Sequence, residues 1–255
     1  IGKPSVYLPR LDRYLNEILD LLDYKEFSAT FFCLGEVAKK YPKVIRRIYE
    51  RGHHIGCHSY SHDFYNEKTD PRIFKKDTLN AINVLEDVIG QKINSYRAPA
   101  FSISEKTKWM FEILIDAGID YDCSIFPGDR SFGGFKNFKN EVPITISSEN
   151  RKIREFPVSV TKILNKYIAS AGGGYFKLIP YAFLKSIINH KSDYLMTYFH
   201  LKDFDKEQEK KYSSFKGESA FSRYLKNYYG LNGSFLKFKY LINDFEFMSV
   251  EKAAE

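Results

Sequence analysis

Apolar residues at Leu11, Tyr14, Leu15, Ile18, Leu19 and Leu22 recur every three or four positions with acids and polar residues between them, which predicts an amphipathic helix over 11–24. The run Ser28-Ala29-Thr30-Phe31-Phe32-Cys33-Leu34 is too short for a helix, is rich in strand formers and stops at Gly35, so it predicts a buried strand. The alternation then repeats. Further helices are predicted over 36–51 with Gly52 as the stop, over 70–89 with Pro71 in the first turn, over 106–117 and over 180–190. Further strands are predicted over 54–57, 95–98, 121–124, 155–159 and the apolar run 194–200.

Strand–helix alternation at this pitch predicts an α/β fold on a parallel sheet, closed or open. In such folds functional side chains sit at the C-terminal ends of strands. His58, Arg97 and His200 all fall at or just past such ends. The segment 128–154 lacks periodicity and carries Gly133-Gly134, which reads as an excursion from the core. Gly172-Gly173-Gly174 has no following Lys-Ser/Thr, so a phosphate loop is excluded, and a tight turn or close backbone approach is expected. Beyond His200 the chain is lysine-rich, and the apolar periodicity of 221–247 predicts helices packed on the outside.

Composition changes this picture little. Of 255 residues 44% are hydrophobic and 28% charged, ordinary for a globular protein. No stretch approaches the roughly 18 apolar residues of a membrane span. The net charge of +7 comes from scattered lysines, a solvated face or a weak attraction to acidic glycans or anionic surfaces. No nucleic-acid-binding pattern is present. Cys33, Cys57 and Cys123 are odd in number and widely spaced; small buried hydrophobes in a reducing compartment are the expectation, hence a cytoplasmic location. The first residue is Ile1 rather than Met, which leaves a preceding segment open.

The chemistry centres on His58-Ser59-Tyr60-Ser61-His62. If the stretch is a helical turn, the two imidazoles share a face and converge on one point. That is half of a tetrahedral zinc site, and a catalytic site needs one more protein ligand and a water. A chance His-x-x-x-His on a solvated helix is the plainer reading of the pair alone. His53 is expected to be structural, hydrogen-bonded at the strand entry.

Taken in order, Ala29-Thr30-Phe31-Phe32, Gly52 through His62, Arg97-Ala98-Pro99-Ala100-Phe101 and Tyr198-Phe199-His200 resemble the motifs of the polysaccharide deacetylase family, the carbohydrate esterase 4-like NodB homology domain. The context His200-Leu201-Lys202-Asp203 is similar to the branch with a C-terminal extension associated with exopolysaccharide biosynthesis. The resemblance covers most of residues 10–250. It implies a distorted (β/α) barrel, residues 1–205, with a helical C-terminal extension, residues 206–255, packed on it. The implied activity is metal-dependent removal of acetyl from N-acetylhexosamine units of a bacterial surface polysaccharide or its precursor. Carried over by residue, His58 and His62 become ligands of one divalent ion, zinc by preference. Arg97 orients a catalytic carboxylate, the backbone N–H near Ala100 faces the oxyanion, and His200 protonates the leaving amine. Ser59 and Ser61 brace the loop. Tyr60, Phe101, Phe132 and Tyr175 are candidates for stacking on sugar rings, and Glu155 and Asp203 for supporting carboxylates beside Arg97 or His200.

One element of the family pattern is missing. The family opens with a strand ending in Asp-Asp or Asp-x-Glu, the source of the base and the third ligand, whereas residues 1–10 contain no acid. Either that strand precedes Ile1, the favoured expectation, or base and ligand have been lost together. Asp63 is a weak substitute because it neighbours His62. Two other functions stay in play: a non-catalytic glycan- or partner-binding member of the fold, and an amidase acting on a small non-sugar amide.

Overall fold

In a computed structural model of the chain, the structure describes residues 10–130, 133–138, 140, 142–148, 151–163, 166–190, 194–214 and 217–255. The predicted alternation is present through the first half. Helix α1 (Leu11–Tyr24) leads to β1 (Thr30–Cys33), then α2 (Gly35–Lys40), α3 (Pro42–Glu50) and β2 (His54–Cys57). There follow α4 (Pro71–Ile89), β3 (Ser95–Tyr96), α5 (Trp109–Asp116) and β4 (Tyr121–Asp122). The single helix expected over 36–51 is two, because Pro42 has no N–H to continue α2 and instead starts α3. Asp70 begins α4 by accepting the Arg72 N–H, and Gly90 ends it in the left-handed region.

The second half departs further from expectation. The aperiodic stretch 128–154 contains an antiparallel pair, β5 (Ile144–Ser148) and β6 (Arg151–Glu155). Charged residues occupy the solvent side of β6 and mask its period of two. The strand expected at 155–159 therefore ends where it was expected to begin. A small hairpin, β7 (Thr161–Ile163) and β8 (Lys166–Ile168), precedes α6 (Gly173–Leu178), a helix that the glycine triplet concealed. Then come α7 (Tyr181–Asn189), α8 (Ala220–Tyr228) and α9 (Leu231–Asp244). The apolar run 194–200 is not a regular strand: where it is described it makes one isolated bridge, Tyr198 to Gly172.

The main sheet has the order β1-β2-β3-β4-β6-β5, parallel throughout except at β5. One apolar core lies between this sheet and α2–α5 and includes Ile55, Phe74, Leu85, Met110 and Leu114. A second core joins α1, α6, α7 and α9 through Tyr14, Ile18, Phe176, Leu184, Phe204, Phe238 and Leu241, and Phe31 touches both. No helix of the described residues is long and apolar enough to cross a membrane. The cysteines are free thiols, as expected, with Cys57 and Cys123 fully buried. His53 is buried against the Phe31 ring with neither ring nitrogen hydrogen-bonded; its neighbour His54 makes the strand-entry bonds instead, to Thr30 Oγ1 (3.2 Å) and Asn94 Oδ1 (2.8 Å).

The register of β4 on β6 sets Asp122 beside Glu155, both fully buried. Glu155 therefore does not support Arg97 or His200, as the sequence had led us to expect. Its Oε1 accepts the Ile125 N–H at 2.9 Å, and its carboxyl lies close to that of Asp122. Burial, then the charge of Asp122, pushes the Glu155 carboxyl well above the usual range, and burial raises that of Asp122 as well. Asp122 accepts from the Ser124 hydroxyl (2.7 Å) and N–H (3.0 Å), and Ser124 Oγ accepts the Ala98 N–H (2.8 Å). The pair thus braces the chain just past β3 and β4.

A folded-state pKa raised above the unfolded value stabilises at low pH, and that stability drains as pH rises from about 4.3 through the folded value. Glu155→Gln keeps the bond to Ile125 and needs no proton, so its urea midpoint should gain on wild type as pH rises above about 5. Midpoints that run parallel would show that the pair holds no extra proton. Glu155→Ala leaves the Ile125 N–H unpaired and should cost about 1–3 kcal/mol.

Candidate functional site

Each candidate residue lies where the sheet ends. His58 follows β2 directly, and the pairing of Cys57 with Tyr96 sets it beside Arg97, which follows β3. His58 Nδ1 donates to the Arg97 carbonyl oxygen at 2.6 Å, leaving Nε2 with its lone pair facing away from the sheet. The stretch 58–62 is not a helical turn. Ser59 and His62 have φ of 67° and 63°, and the buried Ser59 hydroxyl accepts the His62 N–H at 3.0 Å. The resulting tight loop brings the two imidazoles together, centroids 5.1 Å apart and nearly perpendicular. The convergence inferred from a helix is thus achieved by an irregular turn.

Burial, then the neighbouring His62, lowers the pKa of His58 to about 3; burial, then His200, lowers that of His62 to about 4. Both are neutral imidazoles near neutral pH, the state a metal ion requires. His58 and His62 therefore fit two positions of a zinc-type site. Among the described residues no third His, Cys, Asp or Glu completes it, and Asp63 does not join them.

Arg97 is almost buried, its guanidinium 4.4 Å above the Phe32 ring and 5.6 Å from that of Phe101. Its Nε donates to the Cys123 carbonyl (3.2 Å), and another nitrogen contacts Met196 Sδ (3.2 Å). Among the described residues no carboxylate is bonded to it. Ala100 and Phe101 both have positive φ (53° and 54°), and Arg130 holds the Ala100 carbonyl at 2.8 Å. Of five non-glycine residues at positive φ among those described, four lie in the loops after β2 and β3. Such conformations cost of order 1–3 kcal/mol each and persist where packing enforces them, commonly at functional sites.

His200 is half exposed, its ring 5.9 Å from that of Tyr198, which packs on Phe101 at 5.0 Å. It lies close enough to the pair that its charge bears on both His58 and His62. Asp203, the carboxylate expected beside Arg97 or His200, lies against His200: its Oδ2 accepts from the His200 N–H (2.9 Å) and faces Nδ1 (3.1 Å). Burial alone would raise the Asp203 carboxyl, but His200 and Lys177 hold it far below the usual carboxylate range.

The aromatic candidates are drawn inward. Phe101 is buried with Phe126 and Val158. Tyr60 packs its ring edge against Gly35 and the helix layer. Tyr175 lies half-buried beneath Lys226. None is an open platform for a sugar, and Phe132 falls outside the described residues. Two residues were missed in the sequence. Asp77 accepts the Tyr60 N–H at 3.0 Å, with the Ser61 N–H in reach, and so clamps the histidine loop from α4. Its signal was an acid on the apolar stripe Phe74, Thr78, Ala81. Lys177, a cation within the apolar run Tyr175–Ile179, reaches Asp203 Oδ1 at 2.6 Å.

Residues 7–121 match the family model described as polysaccharide deacetylase, and residues 123–255 match one described as a domain of unknown function, DUF3473. A peptidoglycan-N-acetylglucosamine deacetylase of Bacillus cereus is 35% identical over 97 residues, 38% of this chain and 35% of that protein. A peptidoglycan-N-acetylmuramic acid deacetylase of Bacillus subtilis is 38% identical over 82 residues, 32% of this chain and 16% of the relative. The match thus spans about a third or less of these relatives. A CE4 family pseudoenzyme from Bacillus anthracis superposes with a TM-score of 0.52 at 13% identity, over 95% of this chain and 60% of the other, a likeness of fold. With the histidine loop, the Arg97 loop and His200 gathered at one end of the parallel sheet, the two matches show that the chain joins a polysaccharide deacetylase (NodB-type) domain, residues 7–121, to a DUF3473 domain, residues 123–255.

Proposed function

We propose that this chain supplies the hydrolytic centre of a metal-dependent deacetylase acting on N-acetylhexosamine units of a bacterial surface polysaccharide or its precursor. The observation that carries this reading is the His58 tautomer: its Nδ1–H is committed to the Arg97 carbonyl, so Nε2 is available as a ligand next to His62. The relatives named for removal of acetyl groups from peptidoglycan support the substrate class.

A zinc-type ion held by His58 and His62 would lower the pKa of a bound water to roughly 7 and polarise the acetamide carbonyl. The chain's own residues do the rest. Ser59 and Asp77 hold the loop so that both imidazoles keep their aim. The strained backbone at Ala100, fixed by Arg130, presents its N–H to the carbonyl oxygen as negative charge builds there. As water adds to the carbonyl carbon, a carboxylate base beside Arg97 would take its proton; as the C–N bond breaks, His200 in its imidazolium form gives the Nε2 proton to the departing amine, and acetate is released. Arg97 lies where a carboxylate base would be oriented.

A non-catalytic glycan-binding role is the second reading. It is favoured by one observation: neither a third ligand nor a carboxylate on Arg97 occurs among the described residues.

Native mass spectrometry of the full-length protein with Zn²⁺ should show one bound ion, lost in the His58→Ala/His62→Ala double variant and held about 10–100-fold more weakly by Asp77→Ala. Acetate release from N-acetylchito-oligosaccharides decides between the readings: a protein that binds zinc through these histidines yet liberates no acetate from any N-acetylated glycan is a binding module. In an active protein, His200→Ala should lower kcat by about 100- to 10,000-fold with KM little changed.

A further inference from the structure

The glycine triplet brings α6 unusually close to the segment that carries His200. A β-carbon on Gly172 would lie 2.6 Å from the Tyr198 ring and carbonyl oxygen, and Gly173, at φ +51°, donates its N–H to that carbonyl at 2.9 Å. Only glycine permits this approach. It lowers Lys177, in the last turn of α6, into the core, where its side chain is 1% exposed. There the ammonium meets Asp203 Oδ1 at 2.6 Å, and Asp203 is itself 4% exposed.

The surroundings hold this pair in place. Lys237 of α9 donates to the carbonyls of Phe176, Lys177 and Ile179 at 3.0, 2.9 and 2.8 Å, capping the C-terminal end of α6. Ser234, also on α9, donates to the Asp203 carbonyl at 2.7 Å. The two carboxylate oxygens of Asp203 face different partners, Oδ1 the lysine and Oδ2 the histidine.

Stability alone does not account for the arrangement, because a buried ion pair is commonly no more stable than an apolar pair of the same size. What the pair does control is the half-exposed imidazole at its end. Beside a neutral His200, a buried carboxyl with no other cation next to it keeps its proton and would offer an O–H to His200 Nδ1. With Lys177 in place Asp203 is an acceptor, so Nδ1 carries the hydrogen and Nε2 is left as the nitrogen that can take up and give a proton.

We propose that Lys177 is a positioning residue of this site, setting the tautomer and orientation of His200 through Asp203, and that completing this relay is what the DUF3473 half contributes to the deacetylase half. The proposal rests on the reading of His200 as proton donor, but its test needs no turnover.

Long-range ¹H–¹⁵N NMR of the full chain reports the tautomer of His200 directly. Neutral His200 should be the Nδ1–H form in wild type and in Lys177→Arg, and should move toward the Nε2–H form in Lys177→Met. Should Lys177→Met fail to fold, the neutral double variant Lys177→Met/Asp203→Asn replaces it. Its amide presents either a donor or an acceptor to Nδ1, so both tautomers should be populated. An Nε2–H wild type, or His200 held wholly as Nδ1–H in either lysine-free variant, overturns the proposal. A tautomer that responds to Lys177 in a protein without acetate release would leave the relay standing and remove the deacetylase reading.

Discussion

The parallel hydrogen-bond ladder β1-β2-β3-β4-β6 is the constraint on which the rest depends. A parallel ladder brings every chain out at the same edge, so loops distant in sequence become neighbours without any contact designed between them. Because Cys57 pairs with Tyr96, the residues that follow, His58 and Arg97, emerge side by side, and a single hydrogen bond then chooses which His58 nitrogen faces outward. One step further along the same edge, Ser124 ties the Arg97 loop to β4 through the Ala98 N–H.

The two halves hold their functional groups by different physics. In the first, backbone geometry does it: left-handed residues at Ser59, His62, Ala100 and Phe101 are enforced by short bonds to Ser59 Oγ, Asp77 and Arg130. In the second, charge buried away from water does it, with Lys177 and Asp203 aligned behind His200. The first arrangement stores strain in loops, whereas the second places the cost of desolvation in the core. Both leave an imidazole with one nitrogen committed inward.

What could be read from the residues followed periodicity. Helices α1, α4 and α5 and strands β1 and β2 carry apolar patterns, while the short β3 and β4 were placed by the strand–helix alternation, and the candidate residues that follow β2 and β3 were placed with them. The β5–β6 pair was hidden because Arg151, Lys152 and Arg154 dominate a strand with one face in solvent. Helix α6 was hidden because three glycines argue against a helix unless a partner backbone needs the room, and that partner, Tyr198, is distant in sequence. Asp203 was found by its spacing from His200; Lys177 was not, since the pairing exists only once α6 is docked. The helical turn expected at 58–62 failed for a local reason: the spacing of two histidines carries no information about φ at Ser59 and His62.

The sheet does not respect the junction between the two family matches. β4 lies at that junction, and its hydrogen-bonded neighbour on the far side is β6, with the buried carboxyls of Asp122 and Glu155 side by side across the seam. Cutting the chain there would strip β4 of that neighbour and leave a raw strand edge open to other molecules. The two regions are therefore not interchangeable cassettes. Joining this first half to an unrelated second half would require both a matching strand and a buried carboxyl partner for Asp122 at once.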